Sequence, residues 1–291
     1  MAQQYKVTQR GKLLAFLFEI LASNEGWSKK TVKQRLQGSS IFVNGQVQSK
    51  HDFIIDAGDV IQVGIAQRTG HHTNTQQVKL EIIHQDKDLI AINKPAGLLS
   101  VGTTKENKNH SLALLRTQLS RGKKSEATKL WPVHRLDRDT SGILLFATSK
   151  EVREAVMDKW ATTEKTYLAV VEGTPKVESD TITEPLRLDE KEYRMHVGKH
   201  KHAKSAITHY TLRESSDTHS LLEVRIETGR QHQIRAHMAH IGNPVVGDER
   251  YGKKGGRMGL HAMRLAFVHP VTQKNVLLEV DAPRDFYSLL K

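Results

Sequence analysis

Residues 134–147, HRLDRDTSGILLFA, constrain this chain more than any other stretch, because two aspartates and two arginines stand directly ahead of a small-residue turn and an apolar run. Residues 143–146 are continuously apolar and bounded by Ser141 and Gly142, which reads as a strand buried on both faces. The charged residues therefore sit at the mouth of a core strand, held by rigid structure and screened from water. Asp137 is the candidate for chemistry. A plainer reading has Asp137 or Asp139 capping a turn or pairing with Arg135 or Arg138. A second arginine, supplied from elsewhere in the chain, would favour the chemical reading.

With 291 residues the chain exceeds one average domain, so a small and a large domain are expected. Residues 12–23 carry Leu13, Leu14, Phe16, Leu17, Ile20 and Leu21 at helical spacing, and Asn24, Glu25 and Gly26 end that helix. Ser28 caps a second helix running to about Gln37, with Val32 and Leu36 inward and Lys29, Lys30, Lys33 and Arg35 on the other faces. A charged helix face is often merely solvated. Here 44 Lys plus Arg against 32 Asp plus Glu leave a net charge of +12, which suits a polyanion and makes phosphate contact an equal reading. After it, residues 41–43, the Asn44-Gly45 turn and residues 53–63 read as short strands joined by tight turns. Residues 66–77 are polar and without periodicity, a linker whose paired His71 and His72 lack a third ligand for a metal.

The second domain, from residue 78 onward, opens with strands over 78–83 and 89–93 and a Lys94-Pro95-Ala96-Gly97 turn. Leu112, Leu114, Leu115 and Leu119 mark an amphipathic helix between basic polar insertions at 105–109 and 120–128. A helix over 150–160 follows, and then Lys165, Thr166 and Tyr167 lead the strand 168–171. Tyr167 is core filler or a platform for an extruded base. Residues 186–204 are crowded with charge and read as an excursion rather than core, whereas 208–212 and 221–226 alternate as strands.

In ETGRQHQIRAHMAHIGNPVVGD, Ile234, Met238 and Ile241 fit the buried side of a helix, leaving Arg230, Arg235 and the histidines for polar work. Arg235, read as one turn inside that helix, is the second arginine, able to hold a buried carboxylate ionised. The five-residue step from His232 to His237 is a poor ligand spacing, so no metal is expected. Two closing strands then complete one mixed, largely antiparallel sheet in an α+β chain. Cysteine is absent, which excludes disulfides, thiolate metal sites and cysteine nucleophiles. No membrane-length apolar run or export signal is visible, so the cytoplasm is the expected compartment and a monomer the default.

HRLDRDTSGILLFA resembles the signature of the RluA-type pseudouridine synthases, and INKPAGLLS, KTYLAVVEG, KSAITHY, GRQHQIRAHMAHIGNPVVGD and GLHAMRLAFVHP occur in that family's order. The first 65 residues resemble the small RNA-binding domain of ribosomal protein S-four. The resemblance implies an isomerase acting on RNA without a cofactor, its product being an isomer of its substrate. It makes Asp137 the essential aspartate, Tyr167 the base-stacking aromatic and Arg235 the partner of Asp137. Arg135 would fill the space left by the flipped nucleotide, Lys165 and Ile234 would line the pocket, and Lys29, Lys30, Lys33 and Arg35 would touch phosphate. Arg138 and Asp139 lie where the family varies and carry no implied role. Large-subunit ribosomal RNA is the expected substrate, with transfer RNA and a noncatalytic ribosome assembly role as alternatives.

Overall fold

A computed structural model of the protein describes residues 3–37, 40–63, 79–104, 106–120, 129–253 and 255–291. The expected linker, with His71 and His72, and most of the basic insertion at 120–128 lie outside the described residues. The chain divides into two compact units, Met1–Val78 and Lys79–Lys291.

In the first unit, β1 (Gln3–Lys6) and β2 (Gly11–Lys12) lead into helix α1 (Leu13–Glu25), followed by α2 (Lys29–Gln37). Leu13, Leu17 and Leu21 recur every fourth residue and are buried, and Gly26 ends α1 in the left-handed conformation (φ 64°). Ser28 Oγ accepts from Thr31 N (3.2 Å), satisfying one free N–H of α2. The strands β3 (Ile41–Val43), β4 (Gln46–Val47), β5 (Ile54–Ile55) and β6 (Val60–Val63) complete the unit. They form a sheet of order β1-β6-β3-β4 and a separate β2-β5 pair.

The second unit is one large sheet with short helices. Its elements begin with β7 (Glu81–Gln85), β8 (Leu89–Lys94), α3 (Ser111–Leu119), β9 (Trp131–Pro132), β10 (Ser141–Ala147) and α4 (Lys150–Asp158). They continue with β11 (Glu164–Glu172), β12 (Ser179–Ile182), β13 (Leu186–Asp189), β14 (Arg194–Val197), β15 (Thr208–Ser215) and β16 (His219–Ile226). They close with α5 (Gln233–His240), β17 (Leu260–Val268), β18 (Asn275–Glu279) and α6 (Arg284–Tyr287). The strand order is β12-β15-β16-β11-β17-β10-β8-β7, with β18 beside β17 and β9 beside β10. Only the β10/β17 pair is parallel among these, so the sheet is mixed and largely antiparallel, as expected.

Every residue of β10 is buried. Ile143 and Leu145 pack with Val156 of α4 on one face, while Leu144 and Phe146 pack with Leu115 of α3 on the other. The strand also takes in Ser141 and Gly142, read from sequence as a turn. Gly142 permits this by adopting φ 110° against the backbone of β17, where an added Cβ would stand 2.2 Å from Ala262 O. The charged stretch 186–204 is likewise more ordered than its composition suggested. Strands β13 and β14 form a hairpin, and Leu186 and Met195 pack with Ala206 and with Ala236 of α5. Val197 and Tyr251 pack against this cluster and complete the seat of the hairpin. Among the described residues no helix is long and apolar enough to cross a membrane.

Candidate active site

Asp137 lies in the irregular segment just before β10, and its partner comes from the far side of the sequence. Arg235 Nη1 donates to Asp137 Oδ2 at 2.8 Å. Arg235 stands in the first turn of α5 rather than one turn inside it, since the helix begins at Gln233. Its remaining donors are spent on a residue that sequence reasoning did not single out. Nε and Nη2 donate to the two carboxylate oxygens of Asp248 at 2.6 and 2.9 Å, a two-point contact that fixes the plane of the guanidinium. Asp248 is fully buried and its Oδ1 also accepts from the backbone N–H of Arg250 and Tyr251. Burial alone would raise its pKa; the bonds and charge of Arg235 and the two N–H groups outweigh that and hold the carboxyl below its ordinary value. Burial opposes the charge of Arg235 as well, and the two aspartates more than offset it.

One cavity of about 620 Å³ is lined by Asp137 and Arg235 together with Arg135, Lys165, Tyr167 and Ile234. All six residues that the sequence placed in the pocket thus meet there. Tyr167 sits in the middle of β11, and burial, followed by the nearby Asp137, raises its pKa, so the ring presents a neutral phenol. Lys165 is buried; its Nζ donates to Thr163 O at 2.5 Å and stands 5.4 Å from the Trp160 ring centroid. Arg135 is exposed at the cavity wall.

Two further residues support the loop that carries Asp137. Lys94, the last residue of β8, is fully buried, and its Nζ donates to Pro95 O, Leu98 O and Arg138 O at 2.9, 2.8 and 2.9 Å. It ties the KPAG turn to the residue after Asp137. Burial pushes its pKa down to about 7, against the pull of Asp139 and Asp137. His134 Nε2 accepts from Leu145 N (3.2 Å), and the imidazole packs 5.2 Å from the Trp160 ring. Burial, then the charge of Lys165, pushes His134 down to about 4. An unfolded histidine takes a proton near pH 6.5, so acid favours the unfolded chain; the stability is present above 6.5 and drains as pH falls towards 4. Urea unfolding should therefore show a loss on acidification to which His134 contributes about 2–3 kcal/mol at most. His134→Phe should flatten that decline, and an identical acid profile in the variant would contradict the assignment.

The histidines weighed for a metal go elsewhere. His237 is buried with Nδ1 at Thr208 Oγ1 and Nε2 at Glu184 O, both 2.9 Å, and His232 faces Asp137. Asp86, Asp88 and His269 do bring ligand atoms within 4.8 Å of one another. His269 Nδ1, however, accepts two backbone N–H groups, from Val271 and Thr272, which puts its proton on Nε2, 3.3 Å from Asp86 Oδ2, and that oxygen is already hydrogen-bonded to His84 Nε2 at 2.9 Å.

Comparison with known proteins gives the same reading. The profile of the family described as RNA pseudouridylate synthase matches residues 88–240, which include Asp137, Tyr167 and Arg235. The ribosomal large subunit pseudouridine synthase D of Xanthomonas campestris pv. campestris is 30% identical over 287 residues, covering 91% of this chain and 84% of its own. The tRNA pseudouridine synthase C of Vibrio vulnificus is 35% identical over 238 residues, covering 73% of this chain and 94% of its own. A solved structure, human RNA pseudouridylate synthase domain containing 4, superimposes with a TM-score of 0.59 at 26% identity, over 72% of this chain and 91% of that one. A buried-strand sheet, an aspartate held by arginine beside a tyrosine, and similarity over more than nine-tenths of the chain converge: the protein belongs to the RNA pseudouridylate synthase family.

Proposed function

We propose that this pseudouridine synthase isomerises uridine in large-subunit ribosomal RNA, with Asp137 as its reacting group. The observation that carries the site assignment is the Asp137–Arg235–Asp248 array at the wall of the cavity that Tyr167 also lines. In the reaction the N1–C1′ bond of the target nucleotide breaks, the freed uracil turns, C5 bonds to C1′, and the proton lost from C5 is balanced by one gained at N1, so that the product is an isomer of the substrate. Asp137 attacks as a nucleophile or removes a proton as a base, and either task requires a carboxylate aimed at the substrate, which the bond from Arg235 Nη1 orients. Tyr167 stacks the extruded base, an interaction worth about 1–3 kcal/mol at comparable sites. Arg135 occupies the space the base has left, and Ile234 and Lys165 shape the pocket.

Ribosomal RNA is favoured over transfer RNA because similarity to the large-subunit enzyme extends over 91% of this chain, against 73% for the transfer RNA enzyme. The extra coverage accords with an S-four-like first domain over about residues 1–65 that binds structured RNA. Purified protein incubated with large-subunit ribosomal RNA and with bulk transfer RNA should form pseudouridine in the former only; the reverse pattern would overturn the substrate assignment. The cytoplasm is the compartment this reading implies.

On α2, Lys29, Lys30 and Lys33 are exposed, whereas Arg35 is half-buried with its guanidinium 4.8 Å from the Trp27 ring centroid. The three lysines are therefore the phosphate-contacting set, and Arg35 braces the helix against Trp27. Replacing all three lysines by glutamine should weaken RNA binding and reduce the slope of log K against log salt by about 2 to 3. An unchanged slope would remove this helix from the RNA interface.

A further inference from the structure

His232 occupies a backbone conformation that side chains rarely adopt. At φ 50°, ψ 22° it stands in the left-handed region directly ahead of α5. Such a placement is strained for a non-glycine residue and persists only where the surroundings impose it. Here Gln233 imposes it from a buried position. Its Oε1 accepts from Thr228 Oγ1 (2.7 Å) and Arg230 N (3.0 Å), and its Nε2 donates to Ile207 O and Thr208 Oγ1 (both 2.9 Å). The turn is thereby locked, and the imidazole is delivered to the cavity wall with 9% of its side chain exposed.

The hydrogen bonds around the ring bear on which nitrogen carries the proton. Met195 N donates to Tyr251 Oη at 2.7 Å, and His232 Nδ1 lies 3.2 Å from the same oxygen. Tyr251 Oη already accepts from Met195 N, and with its own hydrogen turned to Nδ1 the imidazole proton resides on Nε2. Nε2 stands 3.8 Å from Asp137 Oδ2, the oxygen that already accepts from Arg235. Asp137 Oδ1 receives no hydrogen bond among the described residues. We propose that His232 is a positioning residue: held by Tyr251 in the Nε2–H form, it directs that N–H at Asp137 Oδ2 and, with Arg235, keeps the free Oδ1 towards the target uridine.

The charges facing the ring are consistent with a neutral donor. Burial lowers the pKa of His232; Asp137 and Asp248 pull it up, and Arg235 and Arg250 push it down, with a net decrease. The inference rests on the reading of Asp137 as the reacting carboxylate, so Asp137→Asn is measured alongside.

The test is single-turnover isomerisation by the full-length protein, with RNA affinity measured in parallel. Asparagine tolerates the left-handed conformation but is too short to place an N–H where Nε2 stands, whereas glutamine reaches it. His232→Asn should lose about 100-fold in rate with unchanged RNA affinity, and His232→Gln should recover to within about tenfold of wild type. The ¹⁵N shifts of the His232 ring should show Nε2 protonated and Nδ1 bare in the wild type, with the preference lost in Tyr251→Phe. A wild-type rate for His232→Asn, a parallel loss of RNA affinity, or an Nδ1–H ring in the unmodified protein would overturn the proposal. Turnover by Asp137→Asn would instead overturn the reading of Asp137 beneath it.

Discussion

Asp137→Asn is expected to lower the rate of pseudouridine formation by about 10⁴-fold or more while RNA affinity stays within about threefold. The amide matches the carboxylate in shape, and its oxygen still accepts from Arg235 Nη1, so the array keeps its geometry. What disappears is the anion, and with it the ability to attack carbon or take up a proton. Affinity survives because it comes chiefly from phosphate contacts spread over a chain of net charge +12. Single-turnover assays with direct counting of pseudouridine, paired with equilibrium binding, separate the two quantities. A variant within tenfold of the wild-type rate would remove Asp137 from the chemistry.

Asp248→Ala is expected to damage both folding and turnover. Arg235 has 8% of its side chain exposed and carries a full charge, so removing its two-point partner leaves that charge buried with Asp137 alone. Breaking one side of such a pair costs about 3–5 kcal/mol, which denaturant unfolding would register directly. The guanidinium then also loses the contact that sets its plane, and a displacement of Arg235 by even an ångström would misplace Asp137 and cost about 100-fold in rate. Asp248→Asn, which keeps the shape and one good acceptor, should fall between wild type and Asp248→Ala on both measures. Stability within about 1 kcal/mol of wild type for the alanine variant would show that Asp248 does not carry this load.

The contrast between Asp137 and Asp248 shows what could be read from sequence. Asp137 was visible because it precedes a continuous apolar run, and apolar periodicity reports burial directly. Arg235 was visible for the same reason, as a polar residue within the Ile234, Met238, Ile241 pattern. Asp248 lies 13 residues beyond Arg235 in a loop with no period, and only the fold brings it back under α5. The one local signal was the pair Val245-Val246 before Gly247, an apolar pair that places the following aspartate close to the core. Lys94 was read as a turn residue at a strand end. Its complete burial depends on three carbonyls, one of them from a residue 44 positions away, and no window of sequence contains them. The left-handed conformation of His232 was equally hidden, because Gln233 enforces it through contacts with β15 and the residue before it. The hairpin at 186–197 was obscured by composition: its charged residues outnumber the few apolar ones that seat it. The expected strand 89–93, a continuous apolar run, matches β8 to within one residue, whereas the alternating stretches 208–212 and 221–226 extend by three and two residues into β15 and β16.

The central claim, that this chain converts uridine to pseudouridine in ribosomal RNA through Asp137, is tested most directly by mapping pseudouridines in total RNA from cells lacking the gene, complemented with wild type or with Asp137→Asn. The account predicts at least one large-subunit ribosomal RNA position that loses its pseudouridine on deletion, regains it with the wild-type chain and stays unmodified with the variant. A position restored equally by Asp137→Asn, or a loss confined to transfer RNA, would contradict it.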